Sequence, residues 1–259
     1  CIAIEAAKAA HQFGVMSVNE SGRIINFEEK PKDPKAISDE DNMALVSMGI
    51  YVVSQKYLAS ILRDDAVSER SNHDFGKDII PEGLRRGDHF HAYEFRSPTN
   101  HDPPYWRDVG TVDSYYAANM ELLEAEPPLN LYDKGWPIAT YQRQLPPAFI
   151  KPDKDGSIIQ SSIISSACLI ENSEIRRSII FSEVRVEAGC KLNGVLALGG
   201  CRIGANCHLQ NVILDNGCIV PAGTVVGFDA QADGKKFNVT KEGIVLINRQ
   251  MLGQGISYN

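Results

Sequence analysis

From Ile163 onward the chain repeats an aliphatic residue every six positions, and no other feature constrains its fold so tightly. Ile163, Leu169 and Ile175 form one run, followed by Ile180, Val186, Leu192 and Leu198. Ile203 and Leu209 continue the pattern, and Ile213, Ile219 and Val225 close it. Spacing is six within each run, with slips of one or two residues between runs. Gly189, Asn193, Gly204, Asn206, Gly217 and Gly223 fall between the aliphatic positions. Six residues make one short strand plus a corner, so three hexads close a triangular coil of about eighteen residues. The inward aliphatics stack into a continuous core, and the corners take Gly or Asn where φ is positive. The pattern predicts a parallel β-helix of three to four coils.

The part before the repeats has a different rhythm. Gly14–Val18, Ile24–Glu28 and Val46–Val53 are β-rich runs, with Ser21-Gly22 turning between the first two. Tyr57–Leu62 and Val112–Leu123 carry helical spacing, and Thr111 is placed to cap the second, with Asp113 in its first turn. Strands alternating with helices predict an α/β domain with a mixed sheet over residues 1–126. Pro127, Pro128, Pro137, Pro146, Pro147 and Pro152 then forbid a long helix or a central strand, so 127–156 reads as a connector. Its Leu131, Tyr132, Trp136, Ile138 and Tyr141 are expected to be buried along one or both domains. Residues 157–259 are assigned to the β-helix and its tail. The opening Cys1-Ile2-Ala3-Ile4 reads as the middle of a strand, so the chain is expected to be a piece of a longer protein.

Charge and cysteine usage narrow the functional classes. With 26 Lys and Arg against 33 Asp and Glu, the net charge is −7, which argues against a general nucleic-acid or membrane-surface binder. The longest apolar stretch, Ala44 to Val53, is too short to span a bilayer. Five of the six cysteines (Cys168, Cys190, Cys201, Cys207, Cys218) lie in the repeats without a C-x-x-C pair. They are expected to be small packers in a reduced, cytoplasmic protein rather than metal ligands or disulfides.

Three clusters carry chemistry. Phe27-Glu28-Glu29-Lys30-Pro31 places a carboxylate and an ammonium at a strand end, from which Pro31 turns the chain away. A carboxylate suits sugar hydroxyls and a Lys suits a phosphate, although an isolated Glu-Lys-Pro is more often a surface ion pair. In Tyr105-Trp106-Arg107-Asp108-Val109-Gly110-Thr111, Asp108 precedes a helix start, where it serves equally as a structural cap or as a Mg²⁺ ligand beside nucleotide phosphates. In Ser71-Asn72-His73-Asp74-Phe75-Gly76-Lys77-Asp78, His73 and Asp74 read as turn-stabilising groups ahead of a helix. His89-x-His91 has strand spacing, and a half-exposed strand is preferred to a metal site.

Together these clusters resemble the bacterial glucose-1-phosphate adenylyltransferases, or ADP-glucose pyrophosphorylases. The resemblance runs through Phe13-Gly14-Val15-Met16, Glu29-Lys30-Pro31, Ser47-Met48-Gly49-Ile50-Tyr51, residues 73–81 and 105–111, and the connector's Trp136-Pro137-Ile138 and Leu145-Pro146-Pro147-Ala148. It ends at Glu242-Gly243-Ile244-Val245-Leu246. The resemblance implies a nucleotidyltransferase domain, here partial, followed by a left-handed β-helix, assembled as a homotetramer. It implies ATP and glucose 1-phosphate as substrates, with ADP-glucose made for glycogen synthesis and Mg²⁺ as cofactor. Gly14, Glu29, Lys30 and Ser47 would line the sugar-phosphate site, and Asp108 would share Mg²⁺ with an Asp that this chain lacks. The family's Gly-rich nucleotide loop is not in this sequence either, so the chain alone is expected to release pyrophosphate only at background. Arg249 matches a position that holds an activating sugar phosphate, while Gly253 replaces a basic residue there. Gly200 and Asn216 stand where enterobacterial members place a Glu and an Arg for AMP, which implies an altered effector profile.

Two other readings share the architecture. A bifunctional uridylyltransferase–acetyltransferase also joins a nucleotidyl domain to a β-helix, but needs a catalytic His, and His208 is the only His in the repeats. A non-catalytic regulatory subunit would keep the fold without the chemistry, against which stands the retention of Lys30 and Asp108.

Overall fold

The computed structural model describes residues 2–6, 10–37, 42–95, 105–135, 137–151 and 156–255, with side chains from residue 10 onward. Chain packing divides it into two units, Cys1–Trp106 and Arg107–Asn259.

The first unit is built on a four-stranded sheet of β1 (Ile2–Ala6), β2 (Gly14–Val18), β3 (Ile24–Glu29) and β4 (Met43–Ser47), in the order β1-β4-β2-β3. All three strand pairs described run antiparallel. Alternation along the strands feeds both faces. Met16, Ile24, Phe27 and Leu45 pack with Ile80, while Val15, Ala44 and Val46 pack with Ala10, Phe13 and Trp106. Helix α1 (Gln55–Ala66) starts at Ser54, whose side chain accepts from the Tyr57 amide. A π-helical turn, Phe75–Ile79, leads into helix α2 (Ile80–Arg85).

The expected strand over 46–53 is displaced. Strand β4 ends at Ser47, and the chain then turns at Gly49, with φ +70°, leaving Ile50 to Val53 outside the sheet. The apolar run is continuous in sequence, but one left-handed glycine interrupts it.

In the second unit the chain winds about four coils of parallel β-helix over residues 149–226. Arg185 pairs with Leu169, Arg202 with Arg185 and Ile219 with Arg202, so successive coils advance 16, 17 and 17 residues rather than eighteen. Two sides of the earlier coil and one side of each later coil are a residue shorter. The inward stack is Ile170, Ile175, Ile180, Val186, Leu192, Ala197, Ile203, Leu209, Leu214, Val220 and Val226. Six expected positions are therefore off by one residue: Ile163, Leu169, Leu198, Ile213, Ile219 and Val225. Each of these lies next to an apolar residue, and it is the neighbour that points inward. Ile219 and Val225 remain 47% and 58% exposed.

The cysteines do more than fill space. The Sγ atoms of Cys190, Cys201 and Cys207 donate to the carbonyls of Gly204, Asp215 and Pro221, each at 3.1 Å and fourteen residues on. Ser173 Oγ makes the same bond to the Glu187 carbonyl at 2.9 Å. These side chains add a donor at the corner carbonyls, joining the Cys218 amide at Asp215 and the Thr224 amide and hydroxyl at Pro221. Burial pushes the Cys168 thiol pKa up, and all five repeat cysteines are free and buried.

Helix α3 (Val112–Met120) begins in a capping box between Thr111 and Ser114. Although expected in the catalytic part, it packs within the second unit. Its Val112, Tyr115, Tyr116 and Met120 share one face and cover Ile179, Leu196 and Ile213 on the outside of the coils. Tyr116 Oη donates to the Gly194 carbonyl at 2.7 Å.

The connector departs from expectation. Leu131 and Ile138 are exposed, and Tyr132 and Tyr141 are 83% and 88% exposed, so these residues are not buried within the chain. Trp136 lies outside the described residues. No helix among the described residues is long and apolar enough to cross a membrane.

Candidate functional site

Strand register and the residue that follows it bring four of the six candidate residues together. Gly14 opens β2 opposite Glu29 at the end of β3. On the other side of β2, Val15 pairs with Val46, so Ser47 ends β4 beside the same corner of the sheet. Lys30 follows Glu29, with its amide bonded to the Phe13 carbonyl at 3.0 Å and its φ at +50°. A lysine in the left-handed region is unusual, since the side chain there costs about 1–2 kcal/mol. The sheet corner thus presents Gly14, Glu29, Lys30 and Ser47 together, in the first unit.

The sequence signal missed the loop that completes this corner. Asp74 caps the π-helical turn, with Oδ1 accepting from the amides of Gly76 and Lys77 at 2.8 Å each. The turn packs against β3 and brings Asp74 and Lys77 within electrostatic reach of Glu29. His73 holds the preceding loop, its Nδ1 2.8 Å from Asp65 Oδ2. Both residues stabilise the turn as expected, but nothing in their local pattern shows that Asp74 comes to Glu29. Beside them, Ser47 Oγ lies 3.1 Å from Tyr51 Oη, and the Tyr51 ring stacks on Phe75 at 5.5 Å. Ser47, Tyr51 and Phe75 line a cavity of about 460 Å³ with an apolar floor that includes Met16, Phe27 and Ile80. At its far end Tyr57 donates to Asp88, and burial together with that bond pushes the Tyr57 pKa up to about 12. A concave, mostly apolar cleft with a few convergent polar groups is the usual form of a small-molecule site.

The electrostatics at Glu29 make a testable demand on stability. Burial holds its carboxyl above the usual range; Lys30 and Lys77 oppose the shift and Asp74 adds to it. A carboxyl with a raised folded-state pKa keeps its proton longer in the native state. It therefore removes stability as pH climbs from the unfolded value through the folded one. Glu29→Gln is expected to raise Tm at neutral pH and to lose that advantage near pH 3.5, below the ordinary Glu pKa of about 4.3. Calorimetry at the two pH values checks the sign, and an equal effect at both would show that charge burial is not the cause.

Asp108 and Arg249 belong to the second unit. Asp108 is exposed, and its Oδ1 accepts from the Gly110 amide at 3.2 Å, a local turn just ahead of the helix that Thr111 caps. No group of three or more His, Cys, Asp or Glu converges among the described residues. What remains for a cation is one carboxylate with its Oδ2 uncommitted. That fits Mg²⁺ only where a ligand's phosphates supply other oxygens. Arg249 is half-buried, with Nε donating to the Gly255 carbonyl at 2.8 Å and Nη1 to the Gly217 carbonyl at 3.2 Å. It fastens the tail to a corner of the coil. His91 forms an isolated antiparallel bridge with Arg23.

Comparison with known proteins matches residues 1–125 to a nucleotidyl transferase model and 146–247 to a GlmU-like, C-terminal hexapeptide model. A glucose-1-phosphate adenylyltransferase of Shewanella sp. (strain W3-18-1) is 44% identical over 261 residues, covering 100% of this chain and 62% of the relative. Glucose-1-phosphate adenylyltransferase 1 of Alkalilimnicola ehrlichii is 48% identical over 253 residues, covering 97% of this chain and 60% of the relative. That of Shewanella frigidimarina is 45% identical over 262 residues, with 100% and 62% coverage. The chain thus spans about three fifths of the length of the curated relatives it matches.

Proposed function

We propose that the chain belongs with the glucose-1-phosphate adenylyltransferases and carries the sugar-phosphate side of an enzyme making ADP-glucose and pyrophosphate from ATP and glucose 1-phosphate. The observation that carries this reading is the sheet corner where Lys30, Asp74 and Lys77 lie within electrostatic reach of Glu29, next to Ser47, which also lines the apolar cleft. The Glu29 carboxylate accepts hydrogen bonds from sugar hydroxyls, with Asp74 beside it. Lys30 holds the phosphate as a compact cation. Gly14 leaves room at the corner, and Ser47 Oγ, paired with Tyr51, offers a further polar contact.

The chemistry is one of position and charge. A phosphate oxygen of glucose 1-phosphate attacks the α-phosphorus of ATP, and pyrophosphate leaves from the far side. The residues of this corner hold the attacking group and offset its negative charge. Mg²⁺ at Asp108 would neutralise phosphate charge when bound. The bifunctional acetyltransferase reading rests on His208 alone, an outward-facing residue paired with Lys191 and Val225, and the relatives carry adenylyltransferase names.

Several finer properties belong to the same proposal: a role in glycogen synthesis, a sugar-phosphate effector held in part by Arg249, cytoplasmic location and a homotetrameric assembly. Free, buried cysteines suit a reducing compartment. Exposed Tyr132, Tyr141 and Ile138 on the connector, with Phe149 and Ile150 on the first coil, offer apolar surface that association would cover. Titration calorimetry of glucose 1-phosphate into the chain tests the central claim. Saturable binding, with glucose 6-phosphate much weaker, is expected; equal binding of both or of neither would refute the reading.

A further inference from the structure

The Glu29 carboxylate lies in a slot between two glycines. A Cβ built on Gly76 would stand 2.4 Å from Glu29 Oε2 and 2.9 Å from its Cδ, and the next atom, Asp74 Oδ1, is at an ordinary 3.4 Å. On the other side, a Cβ on Gly14 would stand 2.9 Å from the same Oε2. The two glycines are not equivalent. Gly14 would also meet the core ring of Phe27, at 2.4 Å from its Cζ, so a side chain there disturbs the fold as well as the carboxylate. Gly76 does not have a left-handed φ, so its backbone accepts an alanine without conformational strain. Its peptide is pinned by the Asp74 side chain, through the bonds to the Gly76 and Lys77 amides. Only the end of the Glu29 side chain can move aside.

We infer that Gly76 is a positioning residue for sugar recognition: the missing side chain at the start of the π-helical turn fixes where the Glu29 carboxylate meets the substrate's hydroxyls. The inference rests on the sugar-phosphate reading of the corner and extends it to a residue that touches no substrate. A methyl group at 76 evicts Oε2 while leaving the sheet and the turn intact. Recognition of the sugar is then lost through Glu29 and through nothing else.

A double-mutant cycle on the full chain tests this, with calorimetric titration of glucose 1-phosphate as one readout and the Glu29 carboxyl pKa by carbon-detected NMR as the other. Gly76→Ala is expected to weaken binding about tenfold or more, the loss typical of a hydrogen bond to a charged group. It is expected to shift the Glu29 pKa and to keep the far-ultraviolet circular dichroism unchanged. In a Glu29→Ala background the same substitution is expected to be silent, because the group it displaces is gone. A loss of affinity that persists in that background would overturn the inference, as would wild-type affinity in Gly76→Ala. Failure of the unsubstituted chain to bind glucose 1-phosphate would instead overturn the underlying site reading, and the Glu29 pKa in Gly76→Ala would still report whether the slot sets that carboxylate.

Discussion

Lys30→Gly is expected to weaken glucose 1-phosphate binding by tenfold to a hundredfold while the chain keeps its stability. The binding loss follows from the chemistry of the contact: a hydrogen bond between ammonium and phosphate contributes about 1.5–3 kcal/mol, and each 1.4 kcal/mol is about a factor of ten. The stability argument follows from the backbone. Lys30 holds φ at +50°, where a side chain is strained by about 1–2 kcal/mol. Glycine removes that strain, and its extra freedom in the unfolded chain costs about 0.5–1 kcal/mol in return. The net change in stability is therefore within about 1 kcal/mol. A surface ion pair would behave differently, because its loss would leave ligand affinity alone. Lys77→Ala is the comparison that assigns the charge, since Lys77 also lies close to Glu29. Undiminished binding in Lys30→Gly, with loss in Lys77→Ala, would transfer the phosphate to Lys77.

Much of this corner is legible in the amino-acid sequence, for reasons that can be named. Strands β2 and β3 announce themselves by alternation around Ser21-Gly22, and the Glu29-Lys30-Pro31 step marks where the second strand must end. Their pairing follows from the short turn, but an irregularity between Ser17 and Val18 shifts the register by one residue, and that shift sets Gly14 opposite Glu29 rather than Glu28. The approach of Asp74 is not legible in this way. Its own neighbourhood identifies it as a cap, and it is one, but the packing of the turn on β3 is a tertiary event that local chemistry does not encode. The repeats show the complementary limit. A period of six announces a β-helix, yet half of the expected inward positions are displaced by one residue. Pairs such as Leu169-Ile170, Ile219-Val220 and Val225-Val226 satisfy either register. What decides between them is the placing of the five-residue sides, two in the earlier coil and one in each later coil, set by the corners and by what covers the outer face. Ile213 shows this: it is apolar and buried, but beneath helix α3 rather than inside the coil.

Gly227→Ala is expected to destabilise the β-helix by about 2–5 kcal/mol, and Gly223→Ala by about 1–2. The pair separates two effects that usually travel together. Both glycines have positive φ, +93° and +73°, so any side chain carries a conformational penalty of about 1–2 kcal/mol. At Gly223 that is the whole cost, because nothing lies within 4 Å of its would-be Cβ. At Gly227 the Cβ would fall 1.8 Å from the Gln210 carbonyl oxygen and 2.7 Å from its carbon, atoms of the neighbouring coil. Backbone cannot step aside as a side chain can, so the coils must separate, at the further 1–3 kcal/mol or so typical of overpacking. The separation also threatens the bond from the Gly227 amide to Asp233 Oδ2, at 2.8 Å, and with it the short helix Ala230–Asp233. In a stack where each coil touches only its neighbours, the damage should begin at the last coil and propagate as terminal fraying. Hydrogen exchange resolves this: amides of 219–247 are expected to lose protection in Gly227→Ala before those of 169–186 do. Urea denaturation followed by circular dichroism then ranks the two variants. Equal midpoints would mean that the coils tolerate the added methyl group, and that the close approach at Gln210 does not determine why this corner has no side chain.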